Sequence, residues 1–296
     1  MKIGVFTAAF EPSEGWDLER ILHYLSGLGY EAVEISAKRH IDAERVLSGG
    51  ASHVKDLLSK YNMIASALSY HVNHLNADVS RREEANSRFK KVIEAAAQLD
   101  IPVVNSFSGL GVPFHILYPH PMSNVPKVEA AWNDLGNVLG ELADFAGKHG
   151  VKIGIETHFG YMVYNIRTSE RMLEKVPSKS LGFNYDPSHL VWQGIDPVLF
   201  IRRFRDRLYH MHAKDTEMLS EKITESGLLA FTKEFRWPCE SWRFRIPGYG
   251  NINWGRLIAE LKNVGYDYVM SLEYEDSVFT REEACEKTVK ILKAFL

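Results

Sequence analysis

Cysteine is nearly missing from this 296-residue chain, which has two, Cys239 and Cys285, and no C-x-x-C pair. That argues against a disulfide framework and fits a reducing compartment. Long apolar runs are missing too. No stretch approaches the ~18 residues needed to span a bilayer, and no apolar leader follows a basic start. The expected location is therefore the cytoplasm, with no membrane partner. Charge of one sign is lacking: the net formal charge of -3 gives no general attraction to nucleic acid or anionic membranes. A glycine-rich phosphate turn is lacking after the first apolar run, where the chain reads Thr7-Ala8-Ala9-Phe10-Glu11-Pro12. Gly109-Leu110-Gly111 and Gly248-Tyr249-Gly250 do not have the spacing of a dinucleotide fingerprint. With no Ser/Gly linker and no low-complexity segment, residues 1–296 read as one domain. A hydrophobic share of 45% and a charged share of 25% allow an ordinary, large globular core.

What is present is alternation. Short apolar runs predict strands near 2–7, 32–36, 63–69, 102–106, 152–156, 181–185, 208–212 and 268–272. Amphipathic stretches predict helices near 17–28, 52–61, 81–99, 127–149, 169–175, 197–204, 254–263 and 281–295. Strict strand–helix alternation implies parallel pairing through helical crossovers, and eight such units fit an α/β fold of one (β/α)8 barrel. In that fold the site lies at the C-terminal strand ends.

Four ligand-capable residues close the last four apolar runs in order: Glu156, Asp186, His212 and Glu273. Burying such groups is costly unless they are paired or ligated. Singly, each has a bland reading: an ion pair for Glu156, a turn or cap for Asp186 before Pro187, a satisfied buried histidine for His212. Jointly, they end neighbouring strands about 5 Å apart and can converge on one ion. Three carboxylates and one imidazole suit one divalent metal in an open geometry, with manganese first and magnesium, cobalt or zinc as alternatives.

Further motifs surround these positions: Glu156-Thr157-His158, Asp186-Pro187-Ser188-His189, His210-Met211-His212-Ala213-Lys214-Asp215, Pro247 to Trp254, and Glu273-Tyr274-Glu275. On these the chain resembles the xylose isomerase-like barrel superfamily, in its branch of sugar isomerases and epimerases. That branch includes ketose 3-epimerases, hydroxypyruvate isomerase and inosose dehydratase. The resemblance implies that Glu156, Asp186, His212 and Glu273 bind the metal, that His189 contacts substrate, and that Glu156 and Glu273 are the catalytic acid–base pair. The chemistry is coherent. A divalent ion gripping a carbonyl oxygen and a neighbouring hydroxyl stabilises an enediolate while one carboxylate takes a proton and another returns one. Return to the same carbon is epimerisation, return to the next is isomerisation, and loss of a β-hydroxyl or β-alkoxy group is elimination.

His71, His158, Lys214, Arg243 and Arg245 are further candidate substrate contacts, each with a structural alternative. His189 could instead orient Asp186. His158 could be structural, Lys214–Asp215 a solvated pair, and His210 a layer of the barrel interior. The segment 213–253 is an extended loop after the seventh strand. It carries Phe231, Phe235, Trp237, Trp242 and Phe244 among Arg236, Arg243 and Arg245. It reads as a lid over a carbohydrate, or as an insertion packed on the barrel or in a subunit contact. Its size points to a substrate larger than a free monosaccharide, such as a keto-glycoside. Arg202, Arg203, Arg205 and Arg207 raise the DNA-repair endonucleases of the same superfamily, but interrupted arginines on a helix are usually a solvated face. The expected function is a metal-dependent sugar or sugar-derivative isomerase or epimerase. The alternatives are a lyase or dehydratase on an inosose or 3-keto-glycoside, and a barrel that only binds carbohydrate. The expected partner is a small carbohydrate and not nucleic acid. The loop, or the apolar end Ile291 to Leu296, leaves a homo-oligomer open.

Overall fold

The computed structural model describes residues 1–112, 125–229 and 240–296. Phe231, Phe235, Arg236, Trp237 and Cys239 lie outside these. Eight strands form a closed parallel barrel: β1 (Lys2–Phe6), β2 (Ala32–Ser36), β3 (Ile64–Ser69), β4 (Val103–Phe107), β5 (Lys152–Glu156), β6 (Leu181–Tyr185), β7 (Leu208–Ala213) and β10 (Val269–Leu272). They pair in the order β1-β10-β7-β6-β5-β4-β3-β2, so each strand lies beside its chain neighbour in the barrel and the ring closes between β10 and β1. Among the described residues, eight longer helices cover it: α1 (Leu18–Gly27), α2 (Ala51–Lys60), α3 (Val79–Gln98), α4 (Val125–Lys148), α5 (Ile166–Lys175), α6 (Pro197–Phe204), α7 (Trp254–Asn263) and α8 (Arg281–Lys293). The predicted alternation and the single (β/α)8 barrel are what the structure shows.

Capping explains where the helices begin. Asp17, Asp78 and Asn253 accept the N–H of Arg20, Arg81 and Arg256, and Thr280 forms a capping box with Glu283. α5 starts three residues before its predicted onset because Asn165 and Thr168 cap each other reciprocally. Among the described residues, no helix is long and apolar enough to cross a membrane. Cys285 is a buried free thiol.

The barrel interior is polar where most barrels are filled by branched aliphatics. Glu34, Ser66, Asn105, Asn184 and His210 are all fully buried there. His210 lies 2.9 Å from Ser66 Oγ and 3.0 Å from Asn184 Oδ1. Two register shifts, between Val33 and Glu34 and between Phe183 and Asn184, fall at this layer and re-aim its side chains. Gly154 is required beside it, since a Cβ there would sit 2.5 Å from Asn105 Oδ1.

Near the β3 and β4 ends, buried His74 donates Nδ1–H to Asn86 Oδ1 at 2.6 Å, and its Nε2 lies 2.9 Å from the Ser106 hydroxyl. Burial holds its pKa down at about 4, against about 6.5 for a free histidine. Between these values the unfolded chain binds a proton that the native state refuses, so stability falls as pH is lowered from about 6.5 to about 4. Denaturation across that window should show His74→Gln taking up about one proton fewer on unfolding. An unchanged slope would mean that His74 is already charged in the native protein.

The segment after β7 is not structureless at its root. Strands β8 (Asp215–Met218) and β9 (Trp242–Arg245) pair antiparallel, and a short helix (Ser220–Ser226) follows β8. Asp215 ties the hairpin to the turn before α7. Its carboxylate accepts the N–H groups of Thr216 at 2.8 Å, Gly248 at 3.0 Å and Ile252 at 3.0 Å, and the Trp254 indole N–H at 2.8 Å. A Cβ at Gly250 would lie 2.3 Å from the same carboxylate. The motif Pro247 to Trp254 is thus a wrapping for Asp215, and the solvated Lys214–Asp215 pair does not form.

Of the four arginines near α6, Arg202, Arg203 and Arg205 are an ion-paired, solvated face and Arg207 is partly buried against backbone carbonyls. Arg202 forks onto Glu260 at 2.9 and 2.8 Å, Arg203 reaches Glu170 at 2.6 Å, and Arg207 donates to the carbonyls of Pro177, Ser178 and Leu181. At the C-terminus Leu292 is buried, while Phe295 and Leu296 are exposed.

Candidate metal centre

Parallel strands deliver their C-terminal residues to one end of the barrel, and four of them meet there. Glu156 ends β5, Asp186 follows β6, His212 lies one residue before the end of β7, and Glu273 follows β10. One oxygen or nitrogen from each lies within 4.8 Å of all the others. His212 Nδ1 is 3.0 Å from Glu273 Oε2, 3.5 Å from Glu156 Oε2 and 3.9 Å from Asp186 Oδ2.

The other atoms of these groups are committed elsewhere. Glu156 Oε1 accepts from His189 Nε2 at 3.1 Å, and Asp186 Oδ1 accepts the Ser188 N–H at 2.8 Å. His212 Nε2 faces Glu34 Oε1 at 3.1 Å. The inward atoms Glu156 Oε2, Asp186 Oδ2 and His212 Nδ1 are buried and lack a partner with hydrogen-bond geometry, although charged atoms stand close by. Buried donors and acceptors are seldom left in this state. Three such atoms facing one point, with Glu273 beside them, fit a divalent ion: hard oxygen donors with one imidazole.

Electrostatics agree. Burial raises the Glu156 pKa and the charge of Glu273 raises it further. Burial also raises Asp186, more than Lys214 lowers it. Burial acts upward on Glu273 too, but His212 and Lys214 outweigh it and hold the carboxyl well below its usual range. For His212, burial opposes charge, while Glu273, Glu34 and Glu156 together hold the imidazolium well above it. Glu34 itself is held low: burial acts upward and the two histidines outweigh it.

Lys214 turns inward and is buried. Its Nζ lies 2.6 Å from Glu273 Oε2, 2.9 Å from Glu275 Oε2 and 3.1 Å from Asp186 Oδ2, and 4.4 Å from the centre of the Phe244 ring. His189 is buried against Glu156, and burial, then Lys214, keeps its pKa well below the ordinary histidine value. His71 Nε2 lies 3.2 Å from Glu156 Oε2, with its ring between Phe6 and Phe107. His158 stands 4.4 Å from the His189 ring and accepts the Gly160 N–H at Nδ1 at 3.0 Å; burial and then Lys214 bring its pKa down to about 3. These four therefore gather around the four-residue cluster.

Arg243 and Arg245 do not reach it. Among the described residues, their hydrogen bonds go to Glu217 Oε2, at 2.6 Å each, and from Arg245 Nε to Asp276 Oδ2 at 2.9 Å. Asp276 also accepts the N–H groups of Ile246, Val278 and Phe279. Arg243 braces the hairpin across its two strands, and Arg245 fastens it to the loop after β10. Asp276→Ala should cost roughly 3 kcal/mol of stability, the low end for removing one partner of a buried ion pair, because Glu217 remains. Urea denaturation measures this, and a variant within ~0.5 kcal/mol of the parent would show that the hairpin is not anchored there.

Two residues escaped the sequence reading. Glu275 was visible two positions after Glu273, but its pairing with Lys214 was not. Glu34 stands alone inside an apolar strand, a signal that admits many partners.

Among known proteins, YfiH of Bacillus subtilis is 28% identical over 93% of this chain and 94% of its own length. The inosose dehydratase of Clostridium tetani is 26% identical over 56% of this chain and 54% of its own length, so the match spans about half of that enzyme. Solved structures align over nearly the whole chain. AsbF of Bacillus anthracis, a probable 3-DHS dehydratase, has a TM-score of 0.74 at 16% identity over 99% of each chain. YcjR of E. coli, a 3-keto-D-glucoside 4-epimerase, has a TM-score of 0.73 at 17% identity over 99% of each. The IOLI protein with a bound zinc atom has a TM-score of 0.72 at 20% identity, over 100% of this chain and 99% of that one. These structural likenesses show the shared fold. The profile of one family matches residues 22–295, nearly the full length, and the chain belongs to that family, the xylose isomerase-like TIM barrels.

Proposed function

We propose that this protein is a divalent-metal-dependent isomerase or epimerase of a sugar or sugar derivative, working by proton transfer beside a carbonyl. The observation that carries this reading is the convergence of Glu156, Asp186, His212 and Glu273 within 4.8 Å, with the inward atoms of three of them buried and without a partner of hydrogen-bond geometry. A divalent ion held there supplies positive charge to a carbonyl and a neighbouring hydroxyl oxygen; manganese is the first choice and zinc, cobalt or magnesium are alternatives. Glu156 and Glu273 come from strands separated by β6 and β7, so they flank a substrate from two sides. One takes the proton from carbon and the other returns it. His189 donates to Glu156 Oε1 and holds that carboxylate in place. His71, His158 and Lys214 face the same centre and hold substrate oxygens. The hairpin of β8 and β9 closes over the mouth. Phe244, 5.1 Å from the His189 ring, supports that reading. The length of the 213–253 segment suits a substrate larger than a monosaccharide, such as a keto-glycoside.

A second reading is elimination, favoured by the inosose dehydratase relatives. The same carboxylate takes the proton, a β-hydroxyl leaves with a second proton as water, and an unsaturated carbonyl compound remains. Both are tested by incubating Mn-loaded protein in D2O with ketoses, inososes and 3-keto-glycosides, followed by proton NMR and mass spectrometry. Deuterium beside a carbonyl, abolished by EDTA, supports proton transfer. An unchanged skeleton then selects isomerase or epimerase, and loss of water or an aglycone selects lyase. No exchange with any substrate, in protein shown to hold metal, would sink both readings.

A further inference from the structure

The middle of β2 reads Ala32-Val33-Glu34-Ile35-Ser36, and its glutamate is fully buried in the barrel interior. A carboxylate in such a place is costly unless it is used. Glu34 is held by the Ser69 hydroxyl and by Asn105 Nδ2 at 3.1 Å. From there it crosses the barrel: β2 and β7 are separated by β1 and β10, yet Glu34 Oε1 lies 3.1 Å from His212 Nε2, which also has Asn184 Nδ2 at 3.0 Å; of these two neighbours only the carboxylate accepts an N–H. The opposite nitrogen, Nδ1, faces Glu156, Asp186 and Glu273. The register shift at Glu34 sets the side chain's direction locally.

We propose that Glu34 is the positioning residue for His212, taking the Nε2–H so that the Nδ1 lone pair faces the three carboxylates and binds a divalent cation more strongly. The reason is chemical. A neutral imidazole carries one N–H, and a carboxylate at one nitrogen fixes the lone pair at the other. The negative charge also makes that lone pair a better donor. Ser69 and Asn105 keep the Glu34 carboxylate in place. The inference rests on the metal reading of the four-residue cluster and adds a residue that touches neither ion nor substrate.

The test is a Co(II) titration of metal-free protein, followed by the visible absorption bands, in the parent and in Glu34→Gln, Glu34→Ala and Asp186→Asn. Glu34→Gln keeps an oxygen that accepts Nε2–H but loses the charge; Glu34→Ala loses both. The expected result is a loss of Co(II) affinity of about 10- to 100-fold for Glu34→Gln, more for Glu34→Ala. The bands should change shape, a signature that a general packing defect does not produce. Parent-like affinity and bands in both Glu34 variants, with metal lost from Asp186→Asn, overturn the positioning role and leave the metal reading intact. Full affinity in Asp186→Asn places the ion elsewhere and overturns both. Should neither Glu34 variant fold, Ser69→Ala removes one donor to the same carboxylate. The expected result there is a smaller band shift, and unchanged bands overturn the proposal.

Discussion

Glu156→Gln lowers deuterium incorporation into substrate by about 10²- to 10⁴-fold at saturating metal, the range carried by a positioned acid or base. The amide keeps the shape of the carboxylate and its bond from His189, but cannot accept a proton from carbon. Burial and the nearby charge of Glu273 raise the Glu156 pKa, which moves a carboxylate toward the range where a base works well near neutral pH. Replacing it does not remove a stabilising charge: a carboxyl with a raised folded-state pKa costs stability as pH climbs from its unfolded value through the folded one. The metal-free variant is therefore expected to melt no lower than the parent at pH 7. NMR exchange rates give the first quantity and circular dichroism the second. Full exchange activity in the variant would remove Glu156 from the acid–base pair.

Stripping the divalent ion abolishes turnover and lowers the melting temperature by roughly 5 °C relative to protein with Mn(II) at about 100 times its dissociation constant, where binding adds about 2.7 kcal/mol. Three carboxylates crowd one point, and His212 and Lys214, with His71 beside Glu156, offset their repulsion. Burial raises Glu156 and Asp186, so the metal-free centre holds on to protons that an ion must displace. Metal affinity accordingly rises with pH. Asp186→Asn should remove both the thermal shift and the turnover. Verified metal-free protein with undiminished activity would rule out a metal-dependent reaction.

Much of this site was legible because its residues close apolar runs. Glu156, Asp186, His212 and Glu273 each end a strand, and period-two burial with strand–helix alternation puts strand ends on one face. The histidines and Lys214 were legible by proximity to those ends. Arg243 and Arg245 were misleading for a physical reason: in a sequence, arginines beside aromatics look like ligand contacts until their counter-ions are known. Those counter-ions, Glu217 and Asp276, come from the paired strand and from a loop one helix further on. The hairpin carried no short turn between its strands, so its pairing left no local trace.

The alternation of the chain determined by itself the barrel, the order of its strands and the end at which polar residues collect, because these follow from periodicity within a few residues. Tertiary structure alone decided that Glu34 reaches His212 across 178 positions of sequence. It alone decided that Lys214 turns toward Glu273 and Glu275 and away from Asp215, and that Arg245 is an anchor. Each of these is a pairing of a buried side chain with a charge far away in sequence. A charge's partner is set by which side chains the closed barrel brings within a few ångströms, and no local pattern records that distance.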